Sequence, residues 1–221
     1  MEKIIFHKET KTFHLYNEEI SYIMCVLENG HMGQLYYGKR IHDKPDFSYL
    51  VEKCGRPMTS YIFEGDRSFS LEHIRQEYPV YGTTDYRHPA IEIMQENGSN
   101  ISEFKYVGYE ILKGKPSLKG LPATYTESEE EAETLKIILK DSLTGAKLTL
   151  LYTIFSKGSA IARSAHICNE GEKVLHLQTM MSLNLDLPDK DYVWMQLSGA
   201  WSRERYVKNR ILEQGITAID S

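Results

Sequence analysis

The chain of 221 residues has little cysteine, no long apolar run and no basic excess, and each shortage removes a class of protein. Three cysteines, Cys25, Cys54 and Cys168, are too few and too scattered for a disulfide framework, and they are expected to be buried reduced thiols. No Cys-x-x-Cys or His-x-x-x-His spacing suggests zinc, so no metal ligand and no cofactor is assigned. Nowhere do about 18 apolar residues occur together, and Met1 to Lys8 lacks the apolar stretch of a signal peptide. The chain is therefore expected to be cytoplasmic, with no membrane partner. A formal net charge of -5, with a pI near 5.9, leaves no electrostatic footprint for nucleic acid, and a neutral substrate fits better.

What is present is ordinary globular material, 41% hydrophobic and 26% charged. Its length suits one large β domain or two smaller ones. Phe13 and Leu15, then Ile20, Tyr22, Met24 and Val26, place apolar side chains at every second residue around Asn17-Glu18-Glu19, which predicts a hairpin. Gly30, Gly33 and Gly38 punctuate Leu35-Tyr36-Tyr37, each ending a strand or making a bulge. From His42 to Ser70 periodicity fails, and a loop of that length is functional or disordered. Ser70 to Ile74 predicts one helical turn capped by Ser68 or Ser70 and stopped before Pro79.

Ile91 to Met94 reads as a strand ending at Asn97-Gly98, a strong hairpin signal, with Phe104 to Leu112 as its partner. Two Asn-x-Ser sequons there, at Asn97 and Asn100, are read as a polar turn. Gly114 to Ala123 should run extended across the surface, without Walker or dinucleotide-binding spacing, and Glu127 to Glu133 should be a solvated turn or short helix. Thr134 to Asp141 and Lys147 to Phe155 flank a turn at Leu143 to Ala146, and Ala160 to Cys168 and Val174 to Leu187 continue a meander through Asn169 to Glu172. Ile211 to Ile219 resembles another pair of strand pieces about Gly215. No long amphipathic helix appears, so the fold class is all-β, an antiparallel β-sandwich of two packed sheets.

Chemistry is sparse. No Gly-x-Ser-x-Gly elbow occurs, and no serine or cysteine has an interpretable histidine and acid partner. His88 with Asp85 is an acid-base pair or a hydrogen-bonded turn. Acid pairs for a two-carboxylate mechanism cannot be singled out among 31 Asp and Glu residues. The most pointed feature is Leu197-Ser-Gly-Ala-Trp201-Ser-Arg-Glu-Arg205, an indole, two guanidiniums and a carboxylate beside a glycine. Trp201 stacks on the C–H face of a sugar while its charged neighbours meet hydroxyls, or it packs in a core with Arg203 and Arg205 solvated or salt-bridged.

The ordered series from Phe6 to Leu15, Leu35 to Lys39, Phe69 to Leu71, Gln76 to Gly82, Asp85 to Ala90, Gly114 to Pro116, Gly120 to Tyr125 and Leu197 to Arg205 resembles the N-terminal region of bacterial α-galactosidases of glycoside hydrolase family 36. The resemblance runs through essentially the whole chain. It implies that residues 1–221 form an N-terminal β-supersandwich domain, incomplete at its C-terminal end, ahead of a (β/α)8 barrel and a C-terminal β domain. Both catalytic aspartates would lie in that barrel, so this chain would hold no catalytic residue. The parent would be a retaining hydrolase of terminal α-galactosyl groups of melibiose, raffinose and stachyose. Its N-terminal domain would support a homotetramer and lend residues to the sugar pocket. Trp201 is one such position. A second, an aspartate before an arginine in some members, falls by ungapped count on Gly55 before Arg56, where Glu52 or Asp66 would have to substitute. The competing reading is a free-standing carbohydrate-binding or assembly module.

Overall fold

Antiparallel strands account for nearly all regular structure in the computed structural model, which describes residues 3–120 and 123–219. Strands β1 (Ile4–His7), β2 (Thr12–Tyr16), β3 (Ile20–Val26) and β4 (Met32–Lys39) form one sheet in sequence order. The predicted β2–β3 hairpin is there, closed by Asn17, whose Oδ1 accepts from the amides of Glu19 at 2.8 Å and Ile20 at 2.9 Å. That side-chain turn satisfies two amides at the point where the chain reverses. Gly33 and Gly38 lie inside β4, and the bulge falls instead at Leu35, since Ile23 faces Tyr36 while the next residue, Met24, faces Gln34. At Gly33 the contact is close, because a Cβ there would stand 2.6 Å from the end of the Leu27 side chain, which would have to shift.

A second sheet runs β6 (Phe104–Lys113), β7 (Ala132–Asp141), β8 (Ala146–Phe155), β9 (Ile161–Asn169), and the predicted hairpin between β7 and β8 is present. Alternation sends Leu135, Ile137 and Leu139 of β7 and Leu148, Leu150, Tyr152 and Ile154 of β8 into one core with Phe13, Leu15, Tyr22 and Met24. The two sheets thus pack face to face as the expected sandwich. The opposite side of β3 is covered by the long segment after β4, where Phe47, Phe69, Leu71 and Ile74 pack on Ile23, Cys25 and Leu35. Each such side chain stabilises by roughly 1.5–3 kcal/mol when buried. The aperiodic segment is therefore a structural cover carrying one short 3-10 turn, Ser48–Leu50. Its end makes the predicted single turn, with the amide of Ile74 donating to the Ser70 carbonyl at 3.2 Å and that of Glu72 to Ser70 Oγ at 3.3 Å.

Three expectations need correction. The Asn97-Gly98 turn forms, with the Gly98 amide on the Gln95 carbonyl at 2.9 Å and Gly98 at φ +81°, yet it does not join a hairpin. The strand before it, β5 (Ile91–Gln95), pairs with β10 (Leu175–Met180), while β6 pairs along its length with β7. For the same reason the meander stops at β9. A turn sequence specifies a reversal, and the partner is chosen by which edge buries Ile91 and Ile93 in the main core. Ile211 to Ile219 is not a strand pair either, since only Ile211 is extended, as the end of β12 (Arg203–Ile211).

The acidic run is a short exposed 3-10 turn, Glu129–Glu131, leading into β7. Residues 115–120 are irregular, and Met1, Glu2, Leu121 and Pro122 of the quoted stretches lie outside the described residues. The chain divides into two compact units, Met1–Asp186 and Leu187–Ser221, the second built on β11 (Val193–Ala200) and β12. Among the described residues no helix is long and apolar enough to cross a membrane.

Candidate functional site

Leu197 to Arg205 forms the closed end of the β11–β12 hairpin, with Ala200 opposite Arg203 and Trp201-Ser202 as the two connecting residues. Ser202 takes a left-handed φ of 62°, which completes so tight a reversal. Ser198 faces Tyr206, so Gly199 alone faces Glu204 and Arg205, and this bulge sets Arg205 at φ 64°. A Cβ on Gly199 would lie 2.0 Å from the Arg203 carbonyl oxygen, which is why glycine stands there. Trp201 is thrown outward and is 91% exposed, so it belongs to no core of this unit. The Glu204 carboxylate accepts from the Ser202 amide at 3.3 Å, and neither Arg203 nor Arg205 forms an ion pair among the described residues. The tip thus presents an uncovered indole flanked by two unpaired guanidiniums, the donor and stacking set suited to a polyhydroxylated ring.

The other predicted contact, Gly55, lies in the first unit on an exposed stretch of the covering segment. A Cβ added there meets nothing within 4 Å, and the backbone is not left-handed. Nothing in the fold therefore requires glycine at residue 55. Of the two acids weighed as substitutes, Asp66 is tied into its own turn, accepting from Ser68 N at 2.8 Å and Ser68 Oγ at 2.6 Å, bonds that hold its carboxyl below the usual range. Glu52 is exposed.

The Asp85 and His88 acid-base pair is not formed. His88 donates from Nδ1 to the Pro89 carbonyl at 3.0 Å, while buried Asp85 accepts from Arg87 Nε at 2.9 Å and from Gln76 Nε2 at 2.7 Å. Arg87 also donates to the carbonyls of Leu71 at 3.1 Å and Ile74 at 2.8 Å, so this motif is a structural clamp. The cysteine expectation holds for Cys25, whose burial pushes its thiol up to about 12, and fails for Cys54, which is exposed; Cys168 is half-buried, and all three are free. Ser99 and Asn100 stay within the polar turn expected of the sequons, the Ser99 amide donating to Asn97 Oδ1 at 3.0 Å.

Two groupings escaped the sequence. Ser21 Oγ donates to His14 Nε2 at 2.9 Å, and His14 Nδ1 donates to Asp43 Oδ1 at 2.8 Å, the connectivity of a hydrolase triad. Both Ser21 and His14 are wholly buried, so no substrate carbonyl reaches the hydroxyl. Burial lowers His14, whereas the hydrogen bonds from His14 and His7 hold Asp43 low against its own desolvation. The second grouping is Glu77, Tyr22, Tyr152 and Arg163, beside a cavity of about 270 Å³ that Tyr37, Ile161 and Leu185 also line. Tyr152 and Arg163 face each other across β8 and β9, but Tyr22 and Glu77 come from distant segments, so the group has no single local signature. Among the described residues no three His, Cys, Asp or Glu side chains converge as a metal site.

Comparison with known proteins gives this arrangement a context. The profile of the glycosyl hydrolase family 36 N-terminal domain matches residues 30–221. The α-galactosidase AgaA of Geobacillus stearothermophilus is 41% identical over 218 residues, covering 99% of this chain and 30% of that protein. The crystal structure of an α-galactosidase from Lactobacillus brevis superposes with a TM-score of 0.91 at 38% identity, over 96% of this chain and 28% of the other. A substituted form of AgaA solved in complex with raffinose gives 0.89 at 42% identity, over 96% of this chain and 29% of that one. This chain therefore spans under a third of the length of the relatives it matches.

Proposed function

Because the chain belongs to glycosyl hydrolase family 36, as an N-terminal domain of that family, we propose that it is the non-catalytic front part of an α-galactosidase. The parent enzyme removes terminal α-galactosyl groups from melibiose- and raffinose-type oligosaccharides with retention, in the cytoplasm. Retaining hydrolysis needs two carboxylates about 5 Å apart, one as nucleophile and one as acid and base. In this reading both belong to a following (β/α)8 barrel. Residues 1–221 are then an N-terminal domain that continues past Ser221, helps to build a homotetramer and shapes the sugar pocket.

The observation that carries the pocket role is the bare indole of Trp201, 91% exposed at the tip of a hairpin whose bulge and glycine hold it outward. The apolar residues beneath it support the interface role. Val193, Met195 and Leu197 of β11 and Val207 and Ile211 of β12 are each more than half exposed and share one face. A two-stranded hairpin is marginal alone, so that face calls for a cover. Gly55 is the weaker contributor, since it offers no carboxylate.

The test uses Trp201→Ala in the full-length enzyme. Stacking worth roughly 1–2 kcal/mol, by analogy with aromatic pairs, raises KM for raffinose about 5- to 30-fold, with the unfolding midpoint nearly unchanged. An unchanged KM with a lowered midpoint would remove Trp201 from the pocket. Residues 1–221 alone should release no nitrophenol from an α-galactoside, and measurable turnover by the purified chain would overturn the non-catalytic assignment. A reading frame ending at Ser221 would leave a carbohydrate-binding or assembly module instead.

A further inference from the structure

We propose that Arg56 and His73 are positioning residues, a latch that sets where residue 55 stands. The inference rests on the reading of the residue 55 loop as a pocket element. Residues 52–58 are exposed and have no ladder partner, so few bonds locate them. The Cys54 amide donates to the Ser68 carbonyl at 3.2 Å, and Arg56 Nη2 donates to His73 Nδ1 at 3.1 Å. Among the described residues Arg56 makes no ion pair, although Glu52, Glu64, Asp66 and Glu72 are close in sequence. A cation held by an imidazole rather than a carboxylate is held by direction more than by charge, since the acceptor is one in-plane lone pair.

His73 is a firm anchor because its turn is fastened from below. Leu71 and Ile74 on either side of it are buried, and Ser70 beneath is fully buried. The carbonyls of Leu71 and Ile74 both accept from Arg87, which is held by Asp85, itself held by Gln76. The Asp85 to Ala90 stretch thereby acquires a task. Its ion pair fixes the turn, the turn fixes His73, and His73 fixes Arg56 next to residue 55. A guanidinium only donates, so His73 Nδ1 is the acceptor and the ring N–H lies on Nε2, which has no partner among the described residues.

The experiment compares wild type with His73→Ala, Arg56→Ala and His73→Asn, the last because an asparagine Oδ1 stands where Nδ1 does. Exchange of the Cys54 amide, which donates to the Ser68 carbonyl, should rise about 2- to 10-fold in both alanine variants of the 221-residue chain, the factor expected of one modest hydrogen bond. The unfolding midpoint should stay in place, and the asparagine variant should return exchange to the wild-type rate. Unchanged exchange at the Cys54 amide, or an equal rise throughout the chain, overturns the latch. In the full-length enzyme the same alanine change should raise KM for raffinose with kcat nearly constant, and asparagine should rescue it. Altered exchange with an unaltered KM would uphold the latch and sink the pocket reading of residue 55.

Discussion

Glu77 and Arg163, 86 residues apart, meet at 3.2 Å inside the sandwich, with the carboxylate fully buried and the guanidinium nearly so. The carboxylate also accepts from Tyr22 Oη at 2.7 Å and Tyr152 Oη at 2.7 Å. Burial pushes the Glu77 carboxyl up, and Arg163 and the two hydroxyls oppose it. Burial and the Glu77 charge push both phenols well above their ordinary range, so they remain donors. The quartet therefore ties β3, β8 and β9 to the segment before Pro79 through satisfied polar groups.

Glu77→Ala leaves Arg163 buried without its counter-charge, and breaking such a pair costs about 3–5 kcal/mol. For a domain of this size the unfolding midpoint should fall by roughly 6 to 20 °C. Tyr152→Phe removes one donor and should cost about 1–3 kcal/mol. Thermal unfolding followed by near-ultraviolet circular dichroism measures both, and a Glu77→Ala midpoint within two or so degrees of wild type would refute the assignment.

Acidification should destabilise the chain through His14 and His31, both lowered from 6.5 chiefly by burial. A lowered histidine binds its proton more readily in the unfolded chain, so its stabilising contribution is complete above pH 6.5 and is lost as pH falls below that value. Each histidine contributes a slope of at most about 1.4 kcal/mol per pH unit. Urea midpoints measured from pH 7.5 to 5 should decline, and more shallowly in His31→Asn. A flat profile would contradict the burial argument.

Thiol chemistry should distinguish the cysteines. Cys54 is exposed, whereas Cys25 is buried with its thiol pushed up to about 12, so at pH 8 a disulfide reagent should modify Cys54 quickly and Cys25 only on unfolding. Mass mapping of the labelled peptides reads the order. Rapid modification of Cys25 in the folded chain would show that the covering segment opens.

Gly199→Ala should disturb the hairpin tip alone, because the new methyl collides with the Arg203 carbonyl oxygen 2.0 Å away. The indole N–H resonance of Trp201 should shift while that of Trp194, seven residues back on β11, stays. Superposable spectra would mean that the bulge accommodates a side chain.

Local pattern was enough for much of this. Alternation in β2, β3, β7 and β8, the Asn17 and Gly145 reversals, and the Ser70 turn were legible because each depends on residues within one turn or one hairpin. The pairing of β5 with β10 was hidden because the residues that choose it lie about eighty positions apart, and the Asn97-Gly98 signal carries no knowledge of the competing edge. The long segment after β4 looked empty because its few apolar anchors, Phe47, Phe69 and Leu71, have no period, and only the sheet they cover gives them a common face.

The site divides in the same way. The chemical identity of the 197–205 motif and its family resemblance were properties of residue types in order, which sequence holds completely. Whether Trp201 was core or surface was not, since an indole satisfies either environment and the choice fell to the bulge at Gly199 that turns it outward. The Ser21, His14 and Asp43 chain, the Glu77 quartet and the contact of Arg56 with His73 were likewise decided by tertiary structure. Hydrogen bonds and ion pairs act over about 3 Å, and only the folded chain brings residues so far apart in sequence within that reach.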